Sequence, residues 1–289
     1  MSERAFVSVI VPTRNRPEAL ARCVASLAAQ AYPRECLEIL VVNDGGVSVP
    51  KGNLESAGNV EVIDVPHGGP ATARNAGVAR ARGDILAFID DDCVADPRWI
   101  GAMVARLAAH PVAAVGGRVV NALLDNRYAR ASQLLVTHLY RYYHEEARGH
   151  LPFLTTNNLA VRAETFARVG PFDASYRFAS EDRDWSDRCL LASRPLVYAP
   201  EAVVHHAHPL TFASFFQQHF RYGEGARRFH RRRADRRGTR VRLESAAFYT
   251  GMVRAPFEAE DPEALRVAML IIASQAAGAV GWAASVTGD

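Results

Sequence analysis

The sequence lacks features that would mark several other classes of protein. It has no Gly-x-Gly-x-x-Gly fingerprint, so a dinucleotide-dependent dehydrogenase is disfavoured. It also has a single lysine, Lys51. Its four cysteines are scattered without metal-type spacing, which predicts free thiols in a reducing compartment. Residues 1–6 carry two charges and run directly into an apolar strand pattern. We therefore expect no signal peptide and a cytoplasmic location, at the inner face of the membrane if the chain contacts lipid.

The composition is that of a folded protein, but the charge is unevenly distributed. At 289 residues, with 49% hydrophobic and 22% charged residues, the chain suits one α/β domain with or without a helical appendage. The net charge is +3, yet residues 227–242 hold nine arginines and one acid, Asp235, so this segment carries +8 and the remainder −5. Such a segment attracts anionic lipid, nucleic acid or an acidic acceptor, and its alternative is a solvated loop. With Phe229 as its one aromatic residue, we expect no nucleic-acid partner.

Apolar runs alternate with helical patterns through the first two fifths of the chain. Strands are predicted at Val7–Val11, Leu37–Val42, Val60–Val65, Ile85–Ile89 and Val112–Val115. Helices are predicted at Pro17–Gln30, Pro70–Arg82 and Pro97–Ala109. This order predicts right-handed βαβ units and an α/β fold with a mostly parallel sheet flanked by helices.

The pattern changes after Val120. Helices are predicted at 128–147, 163–168, 182–192 and 211–230, an extended segment at 154–161, and short strands at 196–198 and 202–206. Residues 267–286 carry no charge and are long enough to cross a bilayer, but their alanine, glycine and serine content favours a buried or partner-facing helix. Contact with a membrane surface and a membrane span both stay open for this segment.

Three consecutive carboxylates, Asp90-Asp91-Asp92, follow the apolar run Ile85–Ile89. Adjacent like charges repel, and a cation relieves that repulsion. Alternation along extended backbone predicts that Asp90 and Asp92 share one face while Asp91 points the other way. The triplet therefore predicts a divalent-cation site, and an acidic turn without a ligand is the alternative.

Polar residues also follow the first two predicted strands, in Val11–Arg16 and Val41–Gly46. Asp44 could accept hydrogen bonds from a ribose or a base, and Thr13 or Asn15 could frame the same nucleotide. Helix caps or an ordinary turn would explain the same residues. A glycine turn at residues 67–69 opens a helix that carries Arg74, an arrangement that favours an anion.

Taken together, four segments resemble the family 2 glycosyltransferases of the GT-A type. These segments are residues 11–16, 42–45, 69–77 and 88–92. The resemblance implies a Rossmann-like fold with a C-terminal helical extension, and a triplet that holds Mg²⁺ or Mn²⁺ against the diphosphate of a sugar nucleotide. It also assigns nucleotide-sugar contacts, which we predict at Pro12, Thr13, Asn15, Asp44, Arg74, Asp90, Asp91 and Asn158.

The second half of the chain extends the resemblance. Residues 155–162, 169–173 and 180–185 look like the acceptor half of the same family, whose Glu-Asp motif supplies the catalytic base and maps onto Asp182. Glu181 and Trp185 then fall on the acceptor side. Without the family resemblance, the alternative interpretation is that Glu181 and Asp182 form an acidic helix start and that Trp185 is an aromatic residue packed in the core. The predicted metal ligands are Asp92, Asp90 and His206, with His208 as second choice and a structural histidine as the alternative.

The resemblance implies an enzyme that transfers a sugar from a UDP, GDP or dTDP donor to an acceptor hydroxyl of unknown identity, with inversion at the anomeric carbon. Residues 1–120 would bind the donor, 121–210 the acceptor, and 211–289 would form the helical extension. A homodimer and a peripheral membrane contact stay open. The alternatives are a sugar-phosphate nucleotidyltransferase, which would need a lysine in its N-terminal loop, and a membrane-surface scaffold without catalysis.

Overall fold

The computed structural model describes residues 4–50, 54, 58–145, 153–238 and 244–285. Eight strands form one sheet in the order β3-β2-β1-β4-β7-β6-β8-β5. The strands are β1 (Val7–Thr13), β2 (Leu37–Asp44), β3 (Val60–Val65), β4 (Ile85–Ile89), β5 (Cys93–Ala95), β6 (Ala114–Asn121), β7 (Asn158–Arg162) and β8 (Leu196–His206).

Nine α-helices occur in the described part of the chain. They are α1 (Pro17–Ala28), α2 (Pro70–Arg80), α3 (Trp99–Ala109), α4 (Arg127–Tyr140), α5 (Ala163–Val169), α6 (Glu181–Leu191), α7 (Phe212–Arg237), α8 (Ala246–Glu258) and α9 (Ala264–Ala284). A 3₁₀ turn covers Arg34–Cys36, and a π-helical turn at Arg141–Glu145 follows α4.

The chain divides into two compact units. The first comprises residues up to 120, 153–177 and 181–207, and the second comprises 121–152, 178–180 and 208 onward, each as far as it is described. The predicted division into donor, acceptor and extension segments concerns function and stays a prediction.

The first unit contains the sheet. Its parallel strands β3, β2, β1 and β4 lie together, whereas β7 and β6 pair in antiparallel fashion, as do β5 and β8. All eight residues of β2 are buried, which is what a nearly continuous apolar run predicts for a strand covered on both faces. Helix α2 packs on β1 and β2, α1 on β5, and α3 on β8. The predicted α/β fold with flanking helices is confirmed.

Several element boundaries differ from the prediction for local reasons. Strand β5 was not predicted, because three residues give no periodic signal. One strand, β8, replaces the two short strands predicted around Pro200. Helix α4 ends at Tyr140 rather than 147, and residues 146 and 147 lie outside the described residues.

The arginine-rich segment is helical rather than a loop. Helix α7 begins with a capping box between Thr211 and Ser214 and continues to Arg237, seven residues beyond the predicted end. Arginine is a good helix former, and the helix stops at Gly238, which has φ of 63°. Residues 239–242 of the predicted segment lie outside the described residues.

The second unit consists of helices α4, α7, α8 and α9 around an apolar core. Phe215, Phe248, Met252, Val267 and Ile271 are buried in this core. By length and composition, α9 is long and apolar enough to cross a membrane, and 28% of its most apolar 18-residue window is buried. A predicted C-terminal helical extension is thus present.

Helices α7 and α9 approach each other closely at glycines, and this contact generates a stability prediction. An added Cβ at Gly281 would lie 1.9 Å from the Phe220 carbonyl oxygen, whereas at Gly278 its nearest neighbour would be the His219 oxygen at 3.6 Å. We expect Gly281→Ala to lower the free energy of unfolding by about 1–3 kcal/mol through overpacking. The matched variant Gly278→Ala should be neutral or stabilising by up to about 1 kcal/mol. Urea unfolding of both variants checks this, and equal stabilities would contradict the packing.

Candidate active site

Arg74 lies at the centre of the polar site in the first unit. The side chain projects from α2 and the residue is 3% exposed. Its Nη2 donates to Asp90 Oδ1 at 2.7 Å, and its Nη1 donates to Glu181 Oε1 at 2.8 Å. Asp90 follows β4 and Glu181 begins α6, so one guanidinium joins two acidic motifs that are far apart in the sequence.

Small residues let α2 carry Arg74 to this position. Gly69 adopts φ of 90° just before the helix, and Pro70 occupies the first helical position. At Gly77 an added Cβ would lie 2.6 Å from Ile10 Cγ2 on β1. The helix therefore sits close against the sheet, with Arg74 at the end of β4.

The three carboxylates of the triplet turn to different partners. Thr13 Oγ1 donates to Asp91 Oδ2 at 2.7 Å, and Arg16 Nη1 lies 3.2 Å from Asp91 Oδ1 and 2.9 Å from Asp92 Oδ2. Asp90 instead pairs with Arg74. The predicted alternation, in which Asp90 and Asp92 share a face, is wrong because the strand ends at Ile89 and residues 91 and 92 form a turn.

Asp91 is an internal anchor of this turn. The residue is 4% exposed, and burial raises its pKa to about 6, although the Thr13 hydrogen bond and the Arg16 charge act in the opposite direction. It ties the end of β1 to the triplet. Its observed contacts are those of a structural residue.

Asp92 and His206 form the part of the site that could hold a metal ion. His206 Nε2 lies 3.2 Å from Asp92 Oδ1, and donor atoms of Asp92, Cys93 and His206 all lie within 4.8 Å of one another. Burial alone would lower the pKa of His206, but the hydrogen bond and charge of Asp92 raise it. A carboxylate oxygen and an imidazole nitrogen are suitable ligands for a divalent cation.

Cys93 was missed by the sequence analysis. It is fully buried and lies opposite His206 in the antiparallel pairing of β5 with β8, a register that no local pattern reveals. Of the other predicted ligands, Asp90 pairs with Arg74 outside this group, and His208 Nε2 lies 2.9 Å from Gln218 Oε1.

Asp44, the last residue of β2, holds the glycine turn at residues 67–69. It accepts hydrogen bonds from the backbone of Gly68 at 2.7 Å and of Gly69 at 3.0 Å, and its Oδ2 lies 2.8 Å from His67 Nδ1. Two backbone donors of the glycine turn, which was predicted to favour an anion, are therefore bonded to Asp44.

The residues between β1 and α1 contact the segment that follows β2. Arg14 Nε donates to the Gly45 carbonyl oxygen at 3.0 Å, and Asn15, with φ of 56°, accepts a hydrogen bond from the Val47 amide at 2.9 Å. Pro12 is half-buried within β1. Arg14 and His67 thus join the predicted nucleotide-binding group, although the sequence analysis did not single out either.

Glu181 and Asp182 begin α6 in different surroundings. Glu181 is 5% exposed and bonded to Arg74; burial and the Asp182 charge raise its pKa. Asp182 is half-buried, and its Oδ1 accepts a hydrogen bond from the Arg183 amide at 2.8 Å. Burial raises its pKa as well, against the charges of Arg183 and Arg74. Glu181 was predicted to lie on the acceptor side, but its carboxylate forms an internal ion pair with Arg74.

Two predicted ligand contacts are not supported. Trp185 is fully buried, donates from Nε1 to the Gly170 oxygen at 3.0 Å and stacks on Phe166, so its indole does not face an acceptor. Asn158 is also fully buried. Its Oδ1 accepts from Trp99 Nε1 at 2.8 Å, and its amide donates to two backbone oxygens, those of Arg118 and Ala202. Both residues have packing roles.

Comparison with known proteins places the chain in a known family. Residues 8–170 match the family described as Glycosyl transferase family 2. The chain is 30% identical over 226 residues to the glycosyltransferase AglE of Haloferax volcanii, spanning 76% of this chain and 72% of that protein. It is also 30% identical over 230 residues to the pre-mycofactocin glycosyltransferase of Mycobacterium tuberculosis, but spans only 46% of that protein.

A solved structure supports the same fold. The mannosyltransferase PcManGT of Pyrobaculum calidifontis, determined in complex with GDP-Man and Mn²⁺, superposes with a TM-score of 0.63 at 19% identity. The match covers 99% of this chain and 80% of that one. At this identity the likeness concerns the fold, which is that of the GT-A glycosyltransferases.

The burial of Arg74 generates a stability prediction with a matched control on the same helix. Arg74→Ala leaves the buried Glu181 carboxylate and the half-buried Asp90 carboxylate without their cation, and we expect it to lower the free energy of unfolding by about 3–5 kcal/mol at neutral pH. Arg80, also on α2, is 61% exposed and pairs with Glu61, so Arg80→Ala should cost less than about 1 kcal/mol.

The pH dependence separates this charge effect from lost packing. Burial raises the pKa of Glu181, and loss of the Arg74 charge raises it further, so the deficit is largest above that pKa and shrinks as protonation removes the Glu181 charge at lower pH. Chemical denaturation across pH measures both variants. A deficit for Arg74→Ala that matches Arg80→Ala, or that does not change with pH, would contradict the assignment.

Proposed function

Because the chain belongs to glycosyl transferase family 2, we propose that it transfers a sugar from a nucleotide-diphosphate donor to an acceptor hydroxyl, with inversion at the anomeric carbon. The single observation that carries the proposal is the Arg74 bridge. It brings the Asp90 end of the triplet next to the Glu181-Asp182 motif within one compact unit. Donor and acceptor groups would then meet across that bridge. The family match favours this reaction over nucleotidyl transfer.

At the donor end, Asp92 and His206 would hold Mn²⁺ or Mg²⁺. The ion would neutralise the charge that builds on the departing diphosphate. Arg16 would also neutralise the diphosphate, because its side chain is 49% exposed and its guanidinium is held by the carboxylates of Asp91 and Asp92. GDP-Man and Mn²⁺ in PcManGT support a nucleotide-sugar donor and a metal ion here.

The nucleoside would bind along the ends of β1 and β2. Pro12, Thr13, Asn15 and Asp44 remain the proposed residues, with Asp44 acting through the glycine turn that it holds. His67 is half exposed beside Asp44 and offers a ring to the nucleoside. The nucleotide of the donor could be UDP, GDP or dTDP.

At the acceptor end, Asp182 would act as the general base. It would take the proton of the acceptor hydroxyl as that oxygen bonds to the anomeric carbon and the bond from carbon to diphosphate breaks. A single displacement inverts the centre and needs no covalent sugar-enzyme intermediate. Burial supports the role, since a carboxylate with a raised pKa is a stronger base than an exposed one. Glu181, held by Arg74, would position this helix start.

The base assignment predicts a separation between binding and transfer. Asp182→Asn keeps the shape of the side chain but cannot accept the proton, so turnover should fall by at least about 10²-fold. Donor affinity, measured by calorimetry in the same variant, should be nearly unchanged and is the internal control. Turnover equal to that of the unaltered chain would rule out Asp182 as the base.

The metal assignment predicts a loss on chelation. Excess EDTA should abolish transfer, and added Mn²⁺ should restore it. Directly measured Mn²⁺ affinity, for example by electron paramagnetic resonance, should fall about tenfold or more in His206→Ala, because a ligand is lost. The matched variant His208→Ala removes a histidine two residues away that contacts Gln218, and should bind Mn²⁺ normally. Full activity in EDTA, or equal affinities in both variants, would contradict the site.

A further inference from the structure

Helix α9 presents a continuous apolar face outside the core of the second unit. Leu265, Met269, Ile272 and Val280 are between 53% and 67% exposed, and the exposed Ala276 lies between them. Their spacing places all five on one side of the helix. At about 1.5 Å per residue this stripe is roughly 22 Å long. Contiguous exposed apolar surface of this kind marks an interaction site.

The opposite face of α9 packs against the core of the second unit. Val267, Ala268, Ile271 and Ser274 are buried against the other helices of the unit, and Gly281 touches the backbone of α7. From Val267 to Ala284 the helix carries no charge. A helix that is packed on one side and apolar on the other suits the surface of an apolar medium better than a span through it.

Positive charge lies near the C-terminal end of α9. The His230 ring of α7 contacts the Trp282 ring of α9, with centroids 5.5 Å apart. Around His230, the segment 227–237 has seven arginines and one acid, and Arg228, Arg231 and Arg232 are exposed. Tryptophan and arginine beside an apolar helix are typical of a protein surface at the level of lipid headgroups.

The charges argue for lipid rather than a second copy of the chain. At the other end of α9 the acids Asp261 and Glu263 are paired with Arg127, Arg130 and Arg266. These acids are therefore engaged and are poor counter-charges for the arginines of another copy. An anionic bilayer supplies both an apolar layer for the stripe and negative headgroups for the arginines.

We propose that the apolar face of α9 and the arginine-rich end of α7 together form a docking surface for an anionic lipid bilayer. The helix lies in the plane of the interface, with the stripe among the acyl chains and the arginines at the headgroups. This surface belongs to the second unit, so it does not depend on the sugar-transfer proposal. It would hold the enzyme at a membrane surface.

Vesicle flotation of the full chain tests the proposal. We expect the protein to float with vesicles of phosphatidylcholine and phosphatidylglycerol, and to float less with phosphatidylcholine alone or at high salt. Met269→Glu with Ile272→Glu should reduce binding about tenfold or more, because two large side chains can no longer be buried in the acyl layer. The matched double variant Val112→Glu with Leu124→Glu changes two exposed apolar residues elsewhere and should bind normally.

The arginines have a separate readout. Arg228→Gln with Arg231→Gln and Arg232→Gln should remove the preference for phosphatidylglycerol and the salt dependence. Absence of flotation, or equal binding by the α9 and control variants, would overturn the proposal. So would a dimer in solution that becomes monomeric in the α9 variant, since a second copy would then cover the face. Donor binding, measured in parallel, keeps these outcomes distinct from failure of the proposed function.

Discussion

The site depends on the burial of the Arg74 guanidinium between two carboxylates. A buried cation costs several kcal/mol unless it is paired and hydrogen-bonded, and the same holds for a buried carboxylate. Arg74 and Glu181 therefore require each other, and Asp90 supplies the second partner of the guanidinium, so that α2, the end of β4 and the start of α6 are held in one arrangement. Gly77 contributes indirectly, because its missing side chain allows α2 to lie against the sheet.

Other buried carboxylates of the site are also paired with neighbouring groups. Asp91 joins the end of β1 to the triplet, and Asp44 joins β2 to the glycine turn. Groups of the site that retain exposed surface include Arg16, His67, Asp90, Asp182 and His206. The buried carboxylates of Asp44, Asp91 and Glu181 thus hold the site together, and half-exposed groups lie beside them.

Sequence patterns were informative where a local signal reflects a buried strand. β3 and β4 were predicted to the residue, and β1 and β2 to within two residues at their ends, because apolar runs end at polar motifs. The motifs also placed Arg74, Asp90 and Asp182 in one site. Local patterns could not show the pairing of Cys93 with His206 or the burial of Trp185 and Asn158, since these follow from contacts between distant strands and helices. The continuation of α7 to Arg237 was not predicted, because the run of arginines was interpreted as a solvated loop. Arginine is nevertheless a good helix former.

The central claim is that the carboxylate network joined by Arg74 is a metal-dependent site for a nucleotide sugar. Calorimetric titration of the full chain with UDP-, GDP- and dTDP-sugars, with and without Mn²⁺, tests it most directly. The account predicts that at least one of these donors binds in the presence of Mn²⁺ and binds much more weakly without it. Absence of binding by every donor in both conditions, or binding that is indifferent to Mn²⁺, would contradict it.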